Sequence, residues 1–533
     1  MLEGCVPWPD EFAARYREDG YWLGRPLGEL LHEACVRHAD RVALVSGERR
    51  MRYRDLAEAS TRLAGGLLDL GVGPLDRVVV QLPNVPEFVV VMLALLRVGA
   101  IPVLALPGHR KVEVTHLCAR SGAIAYVTMD QFQGFDYREL ARTVREEVPA
   151  VRHVLVAGDA AEFTALDSVV SGRTDFPRVD PAEPALFLLS GGTTGLPKLI
   201  PRTHDDYAFN LRATARALGV SAADVYLAVN PVAHTAALGC PGVLGTLLAG
   251  GKAVLTTSVR PEEVFPLIRR EGVTLTTLVP PLVRLWTDGA ERTGTDLSGV
   301  TLQVGSAKFD PEQARRAQEV LRCRLSHWFG MGEGMMTHTR FGDPREVILS
   351  TVGRPLCEAD EIVVADESGA PVPDGQEGEL LVRGPYTVRG YYRAPEMNAR
   401  AFTPDGFFRT GDVARRRPDG NIVIVGRITD VVNRAGEKVP TEEVEEHLRT
   451  HPAVRDAAVV GVEDPILGER SYAFVVLRDT ELKLSSIKAY LRERGLATYK
   501  IPDRLIPVDA LPHTAVGKVD KAALRQSAAK PVS

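Results

Sequence analysis

An α/β fold is expected from this sequence on three observations. Short apolar, β-branched runs recur between about residues 53 and 424, longer amphipathic segments separate many of them, and beyond about residue 430 a compact stretch begins an alternation of its own. Strands and helices alternating in this way build layers around largely parallel sheets. The expected organisation is a large N-terminal domain, residues 1–428, made of layered α/β subdomains plus a β-rich subdomain, followed by a small α+β C-terminal domain, residues 429–533.

In chain order, the runs at 78–82, 123–127, 154–156, 185–189 and 252–255 read as buried strands, being short, apolar and rich in β-branched residues. Segments 55–70, 86–98 and 311–322 are longer and read as helices. Segment 377–383 ends in Gly384-Pro385, a turn signal, and reads as a strand of the β-rich subdomain. The C-terminal stretch reads as helix 441–450, strand 457–462, strand 471–478 and helix 484–494, enough for a domain of about a hundred residues. The Ala-Lys-Pro tail at 527–533 is expected to fray.

Composition excludes several function classes. Apolar residues at 45% and charged residues at 25% are ordinary for a soluble globular chain. A net charge of -5 over 533 residues gives no field strong enough to recruit nucleic acid or an anionic membrane, so neither is expected as a partner. The most apolar stretch, 88–106, is broken by Arg97, Gly99 and Pro102, which argues against a membrane-spanning helix. Residues 1–10 hold Glu3 and Asp10 where an export signal needs a basic start and an apolar run, so a cytoplasmic protein is expected. The six cysteines are scattered without a CxxC pair and read as reduced, mostly buried thiols.

The chemistry-bearing segment is Ser190-Gly191-Gly192-Thr193-Thr194-Gly195-Leu196-Pro197-Lys198, directly after the apolar run 185–189. Glycines let backbone amides turn toward an anion, and hydroxyls and an ammonium add charge-assisted donors. Polyphosphate is the guest such a loop suits. It lacks the GxxxxGK[ST] spacing of a Walker loop, because Lys198 is followed by Leu199.

The same segment, extended to His204, resembles the phosphate loop of the adenylate-forming superfamily of acyl-CoA synthetases, nonribosomal-peptide adenylation domains and luciferases. Further motifs of that superfamily follow in order. Phe329-Gly330-Met331-Gly332-Glu333 resembles its aromatic-Gly-x-x-Glu motif, which implies that Phe329 lies against adenine and Glu333 helps hold Mg²⁺. Phe408-Arg409-Thr410-Gly411-Asp412, after Tyr391-Tyr392, resembles the ribose-binding stretch, with Asp412 on the ribose hydroxyls. Gly426-Arg427-Ile428-Thr429-Asp430 resembles the hinge, with Arg427 on the nucleotide and Asp430 as the pivot of a mobile C-terminal domain. Gly436-Glu437-Lys438 is similar to the loop that attends thioester formation, and 511–518 is similar to the motif ending in the catalytic lysine, Lys518. Ser306 and Ala307 fall in a further nucleotide-contacting stretch.

The resemblance implies that ATP and a carboxylic acid are joined as an acyl-adenylate with release of pyrophosphate, with Lys518, Glu333 and Lys438 as catalytic residues. Rotation about Asp430 would then bring up a pantetheine thiol from an aryl carrier protein or from coenzyme A, and the sequence leaves the choice open. A catalytically silent nucleotide-binding protein is the alternative from another class, opposed by the presence of Glu333, Asp412 and Lys518.

Two stretches, 105–110 and 231–245, resemble the stand-alone aryl-acid AMP ligases, a subgroup that includes the 2,3-dihydroxybenzoate and salicylate ligases of siderophore assembly. The implied acid pocket comprises His234, Thr235, Ala236, Cys240, Ser306, Trp328 and Gly332. His234 reads equally well as a core histidine. Thr235 stands where 2-hydroxybenzoate activators carry Asn, Ala236 replaces a large aromatic, Ser306 replaces a Gly, and Trp328 replaces a small aliphatic residue. Losing an amide that meets the ortho-hydroxyl points to another ring, amino-substituted, nitrogen-containing or bicyclic, with Trp328 as the alternative filler of the space at Ala236.

Overall fold

The computed structural model describes residues 1–190, 196–306, 309, 311–366, 368–427, 431–478, 484–512, 519 and 521–529. Two mainly parallel sheets form its larger part. In the first, Pro184–Ser190, Ile101–Leu104, Arg77–Val80, Ala125–Met129 and His153–Ala157 run parallel in that order, and Lys198–Thr203 closes one edge antiparallel. In the second, Arg324–Met331, Thr301–Val304, Leu275–Leu278, Val225–Ala228, Lys252–Leu255 and Val42–Ser46 are parallel, and Gly334–His338 and Arg49–Arg52 extend it antiparallel.

The helix Pro86–Val98 packs into the largest apolar cluster, which spans both sheets. Proline at its first turn needs no N–H partner there, and Gly99 at φ 72° ends it with its N–H on Leu95 O. Apolar side chains surround this helix because its surroundings are protein on nearly every side. Among the described residues no helix is long and apolar enough to cross a membrane.

A four-stranded antiparallel sheet, Glu361–Ala365, Glu377–Arg383, Phe408–Arg416 and Ile422–Arg427, is the expected β-rich portion. The C-terminal segment has a sheet built on the long antiparallel pair Val454–Asp464 and Gly468–Leu477. Its own core includes Val432, Val444, Leu448, Val459, Val475, Ile487 and Leu491. The mixed α/β class with a large N-terminal and a small C-terminal domain is thus as the sequence predicts, while the boundary at 428/429 lies outside the described residues.

Element limits differ where caps or polar residues extend the structure. The strand expected at 123–127 starts at Ala125, because Gly122 and Ala123 donate their N–H groups to Ala119 O and Cys118 O at the end of the preceding helix. The strand expected at 457–462 covers Val454–Asp464, since the ladder continues through polar Asp456 and Glu463. Four of the cysteines are buried, Cys5 and Cys357 are half-buried, and all are free thiols.

Candidate active site

A cleft of about 1340 Å³ opens where the two parallel sheets, the antiparallel sheet and the C-terminal segment meet. Ser190 and Lys198 are directly paired across an antiparallel ladder at the edge of the first sheet. Gly191, Gly192, Thr193, Thr194 and Gly195 lie outside the described residues, as do Ala307, Asp430 and Lys518. Ser190 lines the cleft. Lys198 is half-buried with its Nζ 4.9 Å from the centre of the Tyr391 ring, and burial lowers its pKa against the opposing pull of Glu333.

Glu333 is 6% exposed and accepts a 2.6 Å hydrogen bond from the Tyr391 hydroxyl on Oε1. Its position is fixed by the backbone: Val388 N donates to Glu333 O at 2.7 Å, and at Gly334, φ 117°, a Cβ would fall 2.0 Å from Tyr386 O. Only glycine admits that approach. Arg202 ties the same turn to the strand Lys198–Thr203, donating to Gly332 O at 3.1 Å and pairing with Asp206 at 2.7 Å, with neither side chain exposed. Asp206 also caps its helix by accepting from Thr203 N at 2.7 Å.

Phe329, Gly330, Gly332 and Asp412 line the cleft together with Glu333. Asp412 is 3% exposed, its N–H donates to Thr410 Oγ1, and its backbone pairs with Arg427 across the antiparallel sheet. Among the described residues no three His, Cys, Asp or Glu side chains are grouped to hold a metal. A buried carboxylate such as Glu333 suits Mg²⁺, which binds one or two carboxylates and takes its other oxygens from phosphate and water.

His234, Thr235, Ala236, Cys240, Ser306 and Trp328 also line the cleft. His234 caps the helix Thr235–Gly239 by accepting from Ala236 N at 3.3 Å, and it also lines the cleft. Enclosure, with the Lys438 ammonium adding to it, pushes its pKa down to about 4. Ala236, Cys240, Trp328 and Met336 belong to one apolar cluster with Tyr16, Trp22, Phe209 and Tyr386. The indole of Trp328 lies flat on Gly305, where a Cβ would fall 2.4 Å from the ring. Ser306 sits at φ 66°, a left-handed conformation natural to glycine, which explains why Gly is the usual residue there. Gly436, Glu437 and Lys438 reach the cleft from the hairpin Val431–Arg434 and Glu437–Pro440, and Asn433 Nδ2 donates to Ser306 O at 3.3 Å.

A family model described as AMP-binding enzyme matches residues 31–392, and one described as AMP-binding enzyme C-terminal domain matches residues 443–518. The chain belongs to the AMP-binding enzyme family. Triostin synthetase I of Streptomyces triostinicus is 66% identical over 525 residues, 98% of each chain. The 2,3-dihydroxybenzoate-AMP ligase of Bacillus subtilis (strain 168) is 50% identical, covering 99% of this chain and 98% of that one. The apo structure of Mycobacterium smegmatis MbtA superposes with a TM-score of 0.77 at 46% identity, over 98% of this chain and 99% of that one.

As a member of this family, the protein is an adenylate-forming aryl-acid AMP ligase that uses ATP to activate an aryl acid. Sequence reasoning missed Arg202, Tyr391 as the partner of Glu333, and Asn433. Arg202 had a usable signal, the capping box of Thr203 and Asp206 beginning one residue after it. The Tyr391 and Asn433 contacts join residues 58 and 127 positions apart and left no local mark.

Proposed function

We propose that this AMP ligase activates an aryl or heteroaryl acid other than 2,3-dihydroxybenzoate, bicyclic or nitrogen-containing, and passes the acyl group to the pantetheine thiol of an aryl carrier protein in nonribosomal peptide assembly. The observation that carries the reading is the acid end of the cleft, where Ala236, Cys240, Trp328 and Met336 offer a flat apolar wall. An aromatic acid buries its faces against such a wall. A site that recognises an ortho-hydroxyl through an amide discriminates strongly on that contact, and Thr235 supplies no amide. The identity to triostin synthetase I, 66%, exceeds that to the 2,3-dihydroxybenzoate-AMP ligase, 50%, which agrees with an acid other than 2,3-dihydroxybenzoate.

Attack of a carboxylate on the α-phosphate of ATP brings two anions together, so fixed positive charge at that point lowers the barrier. Lys518 is the residue for that position, and Lys198 with the loop 190–195 holds the pyrophosphate that departs. Glu333, steadied by Tyr391, would hold Mg²⁺, which when bound neutralises phosphate charge. Asp412 and Arg427 hold the ribose and phosphate, and Phe329 the adenine. His234, neutral at pH 7, places no second charge against the acid's carboxylate. After a rotation about Asp430, the hairpin carrying Gly436 and Lys438, residues that line the cleft, would attend the thiol's attack on the adenylate.

Acid-dependent ATP–pyrophosphate exchange over a panel of aryl, bicyclic heteroaryl and aliphatic acids tests the reading, with Lys518→Ala as control. The highest specificity constant is expected for a bicyclic or nitrogen-containing acid, and the control falls by at least about a hundredfold, as for loss of a transition-state charge partner. A best value for 2,3-dihydroxybenzoate would overturn it.

A further inference from the structure

Lys500 is 2% exposed, and it lies between two carboxylates from distant parts of the chain. Its Nζ donates to Glu443 Oε1 at 2.9 Å and lies 3.3 Å from Glu113 Oε1. Glu443 belongs to the C-terminal helix Thr441–Arg449. Glu113 belongs to the helix Lys111–Ser121 of the large domain, and its side chain has no exposure at all.

The two oxygens of Glu113 are divided between the domains. Oε2 accepts from Arg110 N, closing the N-terminus of its own helix, at 3.1 Å. Oε1 accepts from Ala497 N, also at 3.1 Å, and faces Lys500, so its partners here come from the C-terminal segment. The seat is shaped as well as charged. Val112 N donates to Gly495 O, a Cβ on Gly495 (φ 79°) would fall 2.8 Å from Lys111 Cβ, and the rings of His109 and Tyr499 lie 6.5 Å apart.

This contact exists in the arrangement that also places Gly436, Glu437 and Lys438 in the cleft. Moving the C-terminal segment away strips Glu113 Oε1 of a backbone donor and a cation at once. Buried charge pairs of this kind lose most when one partner is removed and the other stays behind. We propose that Glu113 and Lys500 are positioning residues for the second half-reaction: they lock the C-terminal domain in the thiol-accepting orientation and take no part in adenylate formation. The proposal rests on the two-step reading given above.

Glu113→Gln keeps an acceptor for Arg110 N and removes the charge that faces Lys500; Lys500→Met removes the cation and keeps the length. Each variant is assayed for acid-dependent ATP–pyrophosphate exchange and, separately, for single-turnover transfer from preformed adenylate to pantetheine. Exchange is expected to stay level or rise, because the competing orientation is weakened, while transfer falls about tenfold, a factor worth about 1.4 kcal/mol. The double variant is expected to lose no more than the worse single one, as coupled partners do. Unchanged transfer in both single variants, or equal loss of exchange and transfer, overturns the lock while leaving the function standing if the wild type transfers. A wild type that exchanges pyrophosphate but never acylates pantetheine overturns both.

Discussion

His338 pairs across the ladder with Trp328, a residue lining the cleft, and its ring lies 6.3 Å from the indole at an interplanar angle of 21°. It is fully buried, and neither ring nitrogen has a hydrogen-bond partner among the described residues. Burial, with the Arg340 guanidinium adding to it, drives its pKa down to about 3, against about 6.5 in an unfolded chain. The native state therefore keeps the ring neutral while the unfolded chain binds a proton below pH 6.5, so stability is present above that pH and is lost as pH falls toward 3. His338→Phe removes this linkage. Urea unfolding is expected to show the variant gaining on the wild type by about 2 kcal/mol between pH 7.5 and pH 5, and a constant difference would contradict a neutral buried ring. Thr235, Ala236, Cys240, Ser306 and Trp328 stand out in the sequence as places where a recognisable pattern frays, and all five line the cleft. That Trp328 takes its space from Gly305, and that His338 backs it, was not legible, because strand neighbours become visible only once register is known.

At the scale of elements, the hairpin Val431–Arg434 and Glu437–Pro440 is what carries the C-terminal segment into the cleft. Its turn holds Gly436 at φ 90°, with space for a Cβ denied by Val279 Cγ1 at 2.7 Å. Gly436→Ala meets both a conformational cost of about 1–2 kcal/mol and a packing cost of about 1–3 kcal/mol. Thioester formation is expected to fall by at least about tenfold in single-turnover assays, with pyrophosphate exchange within about twofold of wild type. Equal loss in both would place Gly436 in the first step instead. Helices and strands with sharp terminal signals were readable here: Pro86–Val98 between its proline and Gly99, Lys252–Leu255 as a bare apolar run, and Glu377–Arg383 before Gly384-Pro385. Long polar-edged strands such as Val454–Asp464 were read short, because their outer residues are held by the ladder and not by burial.

For the molecule as a whole, two mainly parallel sheets carry many of the residues that line the cleft, the antiparallel sheet adds Asp412, and the C-terminal segment lines it too and contacts Glu113. The motifs named the reaction because each is a short contiguous string in the sequence. The contacts that hold the halves together are not: Glu113 and Ala497 are 384 residues apart, and the ion pair of Arg202 and Asp206, four residues apart, looks in the sequence like an exposed helix pair although both side chains are fully buried. The central claim is that the acyl group is activated by bonding one carboxylate oxygen to the α-phosphate. Turnover of ATP and pantetheine with an aryl acid carrying ¹⁸O in both carboxylate oxygens tests it most directly. AMP bearing one ¹⁸O and unlabelled pyrophosphate are the result expected; labelled inorganic phosphate with ADP would contradict it.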